Sequence, residues 1–201
     1  LVPVHARARD LLISNAHVYP DAGERSGAPF EQPRLLFWNV GGGKFIDISD
    51  RSGPGISAAW SSRGSAVGDL HNDADLEVVV SNMGARPSLL QNFGAKQRWL
   101  LIQCVGTSAN RDAVGARVRV VVAGRTSVAE AQSGSGYISQ NDHRLHFGVG
   151  NATRYDRIEV HWPGGASELF PGGESNRVVT LTQGQGSPLP ARKPPPVNLL
   201  G

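Results

Sequence analysis

At 201 residues, 39% of them hydrophobic, the chain carries enough apolar material for one or two domains with their own cores, which excludes global disorder. Its 25 glycines and 13 prolines against 6% aromatics, without a collagen period, describe many short strands joined by tight turns and disfavour long helices. The formal charge of +3 is a small surplus of 20 basic over 17 acidic residues. Its densest basic group, Arg111, Arg117, Arg119 and Arg125, has no aromatic stacking platform interleaved with it, so nucleic acid is not an expected partner.

The opening Leu1-Val2-Pro3-Val4-His5 lacks a signal-peptide layout, which carries no information about export in a chain that starts without Met. No stretch is long and apolar enough to cross a bilayer, so membrane insertion is not expected. Asp10-Leu11-Leu12-Ile13-Ser14-Asn15 is echoed by Glu77-Val78-Val79-Val80-Ser81-Asn82, an acid leading a β-rich run into Ser-Asn. Arg34-Leu35-Leu36-Phe37-Trp38-Asn39 is echoed in turn by Ser88-Leu89-Leu90-Gln91-Asn92, with the Leu-Leu pairs aligned. The Pro/Gly-rich residues 18–32 read as a loop inserted in the first copy. Short-strand repeats of this length predict blades of a β-propeller, and residues 1–97 are assigned to such repeats, too few to close a ring.

Between the second pair of echoes lies Asp69-Leu70-His71-Asn72-Asp73-Ala74-Asp75-Leu76-Glu77. Oxygen-bearing side chains at the first, third, fifth and ninth places of a tight loop, with a backbone carbonyl from the seventh, can converge on one hard cation, and Ca²⁺ is the natural candidate. Asp69, Asp73 and Glu77 supply carboxylates and Asp75 its main chain. His71 is a poor Ca²⁺ ligand, and Ala74 stands where glycine usually makes the bend. An equally supported reading is an Asx-rich turn whose carboxylates accept backbone N–H groups without metal.

From Trp99 the pattern changes to longer strands at 99–105, 116–122, 126–131, 157–162, 167–170 and 178–182, several alternating polar and apolar residues. Residues 98–184 are expected to form an antiparallel β-sandwich or barrel, so the fold class is all-β, partial propeller material followed by a separate β domain. Cys104, the single cysteine, falls in an apolar run and reads as a core residue. The tail, 185–201, holds Ser187-Pro188-Leu189-Pro190 and Pro194-Pro195-Pro196; polyproline II and disorder are expected there, outside any sheet ladder.

The polar run Ser139-Gln140-Asn141-Asp142-His143-Arg144-Leu145-His146 is the second candidate site. Ser139, Asp142 and His146 could be drawn as a nucleophilic triad, but no strained Gly-x-Ser-x-Gly elbow accompanies them. In an extended segment His143 and His146 diverge, which counts against zinc. The favoured reading is a turn fixed by Asn141, Asp142 and Arg144, with Ser139, Gln140 and His146 completing a ligand-contacting set if the run binds anything. No catalytic residue is assigned.

Arg63-Gly64-Ser65-Ala66-Val67-Gly68-Asp69, the acidic loop and Val78-Val79-Val80-Ser81-Asn82 resemble an FG-GAP repeat of the integrin α-type propeller. Leu36 to Ile48, through Gly41-Gly42-Gly43 and Phe45-Ile46-Asp47, is similar to another part of such repeats. Gly115-Ala116-Arg117-Val118, Gly134-Ser135-Gly136-Tyr137-Ile138-Ser139-Gln140-Asn141-Asp142, Arg144-Leu145-His146-Phe147-Gly148 and Ile158-Glu159-Val160-His161-Trp162-Pro163-Gly164-Gly165 resemble the ASPIC/UnbV domain. The combination is similar to the cartilage-acidic-protein type of secreted protein and its bacterial relatives. That resemblance implies a calcium-associated propeller with a C-terminal β domain in a secreted, periplasmic or extracellular setting. The leading expectation is a non-catalytic binding or adhesion module with a protein or glycan partner. Its rival is an enzyme or enzyme-accessory protein of bacterial secondary metabolism using the 139–146 run.

Overall fold

The structure, a computed structural model, describes residues 9–73, 75–93, 97–108 and 110–189. It is all-β, and its α-helices are short. Strands β1 (Leu11–Ile13), β2 (Leu35–Gly41) and β3 (Lys44–Asp47) form a first antiparallel sheet in the order β1-β2-β3. Gly42 and Gly43 make the two-residue turn between β2 and β3 with φ of 61° and 73°, the left-handed pair that matches the twist of a hairpin. The expected loop at 18–32 contains a short helix, α1 (Ala22–Ser26), which ends on Gly27 in the left-handed conformation.

A second antiparallel sheet follows, with β4 (Ser62–Gly68), β5 (Glu77–Asn82) and β6 (Ser88–Leu90) in that order. Both sheets pair their echoed segments in the same way: Leu12 lies opposite Leu36, and Val79 opposite Leu89. This register aligns Leu36 with Leu89, one residue away from the alignment that the Leu-Leu pairs suggest. Asn39 and Asn92 then fall at equivalent positions.

Arg34 joins the two sheets from a nearly inaccessible position, 1% exposed. Its guanidinium donates to the Gly55 carbonyl in α2 (Pro54–Ser57), to Asn82 Oδ1 at the end of β5, and to Ser88 Oγ in β6. Burial without a carboxylate pulls its pKa down. A buried charge is tolerated here because two of its nitrogens are hydrogen-bonded.

The remaining eight strands are β7 (Arg98–Val105), β8 (Arg117–Val122), β9 (Arg125–Glu130), β10 (Leu145–Gly150), β11 (Arg154–His161), β12 (Ser167–Glu174), β13 (Arg177–Thr182) and β14 (Ser187–Pro188). They form a sheet ordered β10-β7-β13 and another ordered β14-β12-β11-β8-β9. One core lies between them: Leu100, Ile102, Phe147 and Leu181 from the smaller sheet meet Val118, Val120, Ile158, Val160 and Phe170 from the larger. Alternation along β8 and β11 sends Val118 and Val120 of the one and Ile158 and Val160 of the other inward. Cys104 is buried in this core, and desolvation pushes its thiol pKa up to about 12. Trp162 closes the β11–β12 hairpin over the same core, with Gly164 and Gly165 in the turn at φ of 92° and 99°.

The observed architecture differs from the expectation in two respects. β13 runs parallel to β7, so the domain is not wholly antiparallel. Parallel neighbours need a long crossover, and here every strand from β8 to β12 lies in the connection. The start of the tail does join a ladder, because β14 pairs with Glu168 and Leu169 of β12. Pro188 is accommodated because β14 is an edge strand, where a missing N–H costs nothing. The four sheets are small, and among the described residues they close neither a propeller nor a barrel. No helix among these residues is long and apolar enough to cross a membrane. Pro190 and Pro194 to Pro196 lie outside the described residues.

Candidate functional site

The acidic loop and the polar run, more than sixty residues apart in the chain, meet at one seam. β4 pairs with β5 along one edge only. At Val67 it bonds to the polar run as well: Val67 N donates to Asn141 Oδ1 at 2.9 Å, and Asp142 N donates to Val67 O at 2.8 Å. The C-terminal portion therefore partners backbone groups of β4 that β5 does not reach, one of the ways a sheet edge is blunted. Two glycines four apart in β4 permit the approach. A Cβ on Gly64 would come within 2.8 Å of the Tyr137 carbonyl oxygen, and one on Gly68 within 3.4 Å of Asp142 Cβ.

Arg144 bridges the seam. Its Nε and Nη2 donate to Asp142 Oδ2 at 2.8 and 2.6 Å, Nη1 donates to Asn72 Oδ1 at 2.7 Å, and Nη2 also donates to the Asp69 carbonyl at 3.1 Å. The planar guanidinium fork suits this arrangement, since it can reach several fixed acceptors at once. Asp142 Oδ1 accepts from Arg144 N at 2.9 Å, which closes an Asx turn and orients the arginine. The hydrogen bond with Asp142 raises the Arg144 pKa against the cost of burial, and the charges of Asp142 and Asp69 add to it.

Burial pushes the Asp142 carboxyl up, but its hydrogen bonds with Arg144 and the charges of Arg144 and His143 outweigh this and hold it below the ordinary aspartate value. A depressed carboxyl supplies stability that is complete above its unfolded pKa and is lost as pH falls through its folded pKa. The difference in Tm between wild type and Asp142→Asn is therefore expected to hold from neutral pH down to about 5, then narrow as pH falls through the unfolded value of about 3.9 and below. Thermal melts across that range check it, and a gap that never narrows would dissociate Asp142 from the seam's stability.

Within the loop the carboxylates serve the backbone. Asp69 Oδ1 accepts from Asp73 N at 3.1 Å, Asp73 Oδ1 from Asp75 N at 3.1 Å, and Glu77 Oε2 from Leu70 N at 2.9 Å. Glu77 Oε1 lies 3.3 Å from His71 Nδ1. Asp69 and Glu77 are buried, and these bonds satisfy them where water cannot. Asn72 takes φ of 56°, so one sharp bend of the loop falls on a residue that tolerates the left-handed region. Ala74 lies outside the described residues. Among the described residues, no group of three or more His, Cys, Asp or Glu side chains stands together to hold one metal ion.

The polar run assembles no proton relay. Both oxygens of Asp142 are engaged by Arg144, and the enclosed Ser139 Oγ has no hydrogen-bond partner among the described residues. A relay needs the acid on the histidine and the histidine on the hydroxyl. Gln140 pairs with the exposed His143 instead. His146 lies in β10 opposite Leu101, while Arg144 precedes that strand.

Sequence reasoning gave no role to the tip of the turn at the start of this run. Gly136 bridges to Ser139, leaving Tyr137 and Ile138 at the tip, 68% and 85% exposed. Ile138 adopts φ of 46°, a conformation that a β-branched side chain rarely enters. A Cβ on Gly136 would lie 2.7 Å from Ser139 Oγ, so a side chain there would make the serine hydroxyl turn away. The available signal was a Tyr-Ile pair between Gly136 and polar residues, in a place with no strand alternation. A second pair also went unread: His161 Nδ1 lies 2.7 Å from Ser167 Oγ across the β11–β12 hairpin.

Residues 106–188 match the family described as ASPIC and UnbV. The match spans β8 to β14, including the 137–146 side of the seam and the exposed turn. No curated protein matches the chain.

Proposed function

We propose that the chain is a non-catalytic interaction module working outside the cytoplasm, and that it holds a protein or glycan partner at the Tyr137-Ile138 turn of its ASPIC and UnbV portion. The observation that carries this reading is the conformation of Ile138. A left-handed φ costs an L residue roughly 1–2 kcal/mol, and burial offers no compensation at a tip this exposed. Strain held at a surface turn, with an aromatic and a branched apolar side chain presented together, favours contact with something outside the chain. Tyrosine is suited to either partner, stacking its ring on an apolar surface or on a sugar face while its hydroxyl stays wet.

In the same reading, residues 9–93 are propeller repeat units of the FG-GAP kind. The common pairing of their two sheets supports this, as do the apolar side chains they leave in solvent, among them Leu11, Phe45, Ile46, Val79 and Leu89. Neighbouring blades would cover such surface. The enzyme alternative has no hydroxyl–imidazole–carboxylate relay in 139–146 to rest on, and no observation favours it.

The test separates stability from binding. Ile138→Gly is expected to raise Tm, because glycine accepts the turn's backbone without strain. Combined with Tyr137→Ala, it is expected to weaken partner retention at least tenfold. Retention is read on a glycan array and by a photo-crosslinker placed at the neighbouring exposed position 135 in extracytoplasmic extract. Equal retention by wild type and the double variant would move binding away from this turn. No retention by wild type in either format would defeat the interaction reading.

A further inference from the structure

We infer that Arg144 supplies, from within the chain, the cation that closes the acidic loop against the C-terminal portion, so that the loop's folded shape does not depend on a divalent metal. This goes beyond the binding reading, since it concerns how the seam is held and stands whether or not Tyr137 touches a partner. Asp69, Asp73, Asp75 and Glu77 put four carboxylates in nine residues, and such a loop repels itself unless positive charge or directed N–H groups gather around it. Both kinds of compensation are present. Backbone N–H groups of Leu70, Asp73 and Asp75 take oxygens of Glu77, Asp69 and Asp73. The guanidinium reaches the loop's first carbonyl, at Asp69, and its bend, at Asn72 Oδ1, while anchored on Asp142.

The departures from the metal-loop pattern agree with this account. The third place, where a calcium loop wants an oxygen, holds His71, whose ring turns to Glu77, an acid that a cation would otherwise recruit. Asn72 presents its side-chain oxygen to an arginine supplied by another part of the chain. A fixed guanidinium also does what a loosely held ion cannot: it locks two portions of the protein in one mutual position, because its acceptors lie on both.

The experiment uses the full chain in excess CaCl₂ and in excess EDTA, with thermal melts and amide hydrogen exchange across 69–77 and 141–144. The wild type is expected to show the same Tm and the same loop protection in both solutions. Arg144→Met is expected to lower Tm by several degrees and to speed exchange tenfold or more in both segments together. Arg144→Lys, which keeps the charge and loses the fork, is expected to fall between them. A wild-type loop protected by calcium or loosened by EDTA would overturn the inference, as would Arg144→Met exchange within twofold of wild type. Should Arg144→Met fail to fold, the wild-type comparison in the two solutions and the lysine variant still decide.

Discussion

Truncating Ile158 to alanine is expected to destabilise the C-terminal portion by about 2–5 kcal/mol, the range for deleting a fully enclosed branched side chain. Ile158 is fully buried in the middle of β11, with Val120 of β8 opposite on one side and Phe170 of β12 on the other. β11 is the central strand of the larger sheet, so its neighbours cannot collapse into the gap without breaking ladders on both edges. Urea unfolding followed by hydrogen exchange checks the expectation. Protection should fall throughout β7 to β13, since the smaller sheet shares the core through Leu100, Ile102 and Phe147. A loss confined to β11 and β12 would mean that the two sheets do not unfold together.

A valine at position 64 gives the second large effect, and its sign is informative. In an ordinary strand, replacing glycine with a β-branched residue is favourable by roughly 0.5–1 kcal/mol. At Gly64 the new Cβ would meet the Tyr137 carbonyl oxygen at 2.8 Å and the Ile138 carbonyl oxygen at 3.1 Å, and both are backbone atoms. They can retreat only by stretching the bonds that Val67 makes with Asn141 and Asp142. A net loss of about 1–3 kcal/mol is therefore expected, with faster exchange at 137–142 and an unchanged C-terminal core. If Gly64→Val instead stabilises the protein, the seam is not closed in solution.

The fold was readable from sequence where faces were at stake and unreadable where partners were. Alternation in Arg157-Ile158-Glu159-Val160 identified a strand with one buried side, and β11 is that strand. Nothing in alternation says which strand lies beside which, so the parallel contact of β13 with β7 could not be foreseen. The start of β10 was hidden because Leu145 and His146 follow a run of polar residues. Ser187-Pro188 was assigned to the tail because proline lacks an N–H, a deficit that is harmless at the edge position it occupies.

The candidate site divided along the same line. The acidic loop and the polar run each stood out by composition, and Asp142 with Arg144 was legible as a local turn from their spacing of two. Their union was not, because it depends on Val67 using its backbone groups toward Asn141 and Asp142, and backbone groups have no signature in sequence. Gly64 and Gly68 were the nearest available clue, two glycines on the same face of one strand. The strain at Ile138 was not legible, since a residue's identity does not announce an unfavourable φ; only its place beside Tyr137 after Gly136 could have drawn notice.

The parallel pair β7 and β13 also governs how the protein would bear a mechanical load. β7 enters from the N-terminal sheets at Arg98 and meets Arg177 at Leu100, whereas β13 departs at Thr182, beside Val105, at the opposite end of the ladder. Tension between the two ends of the chain first peels off the short β14 and then drags β7 and β13 past each other lengthwise. The contacts from Leu100–Arg177 to Val105–Thr182 share that force simultaneously, in shear, and do not unzip one at a time. A molecule anchored at one end and gripped at the other would yield last along this line.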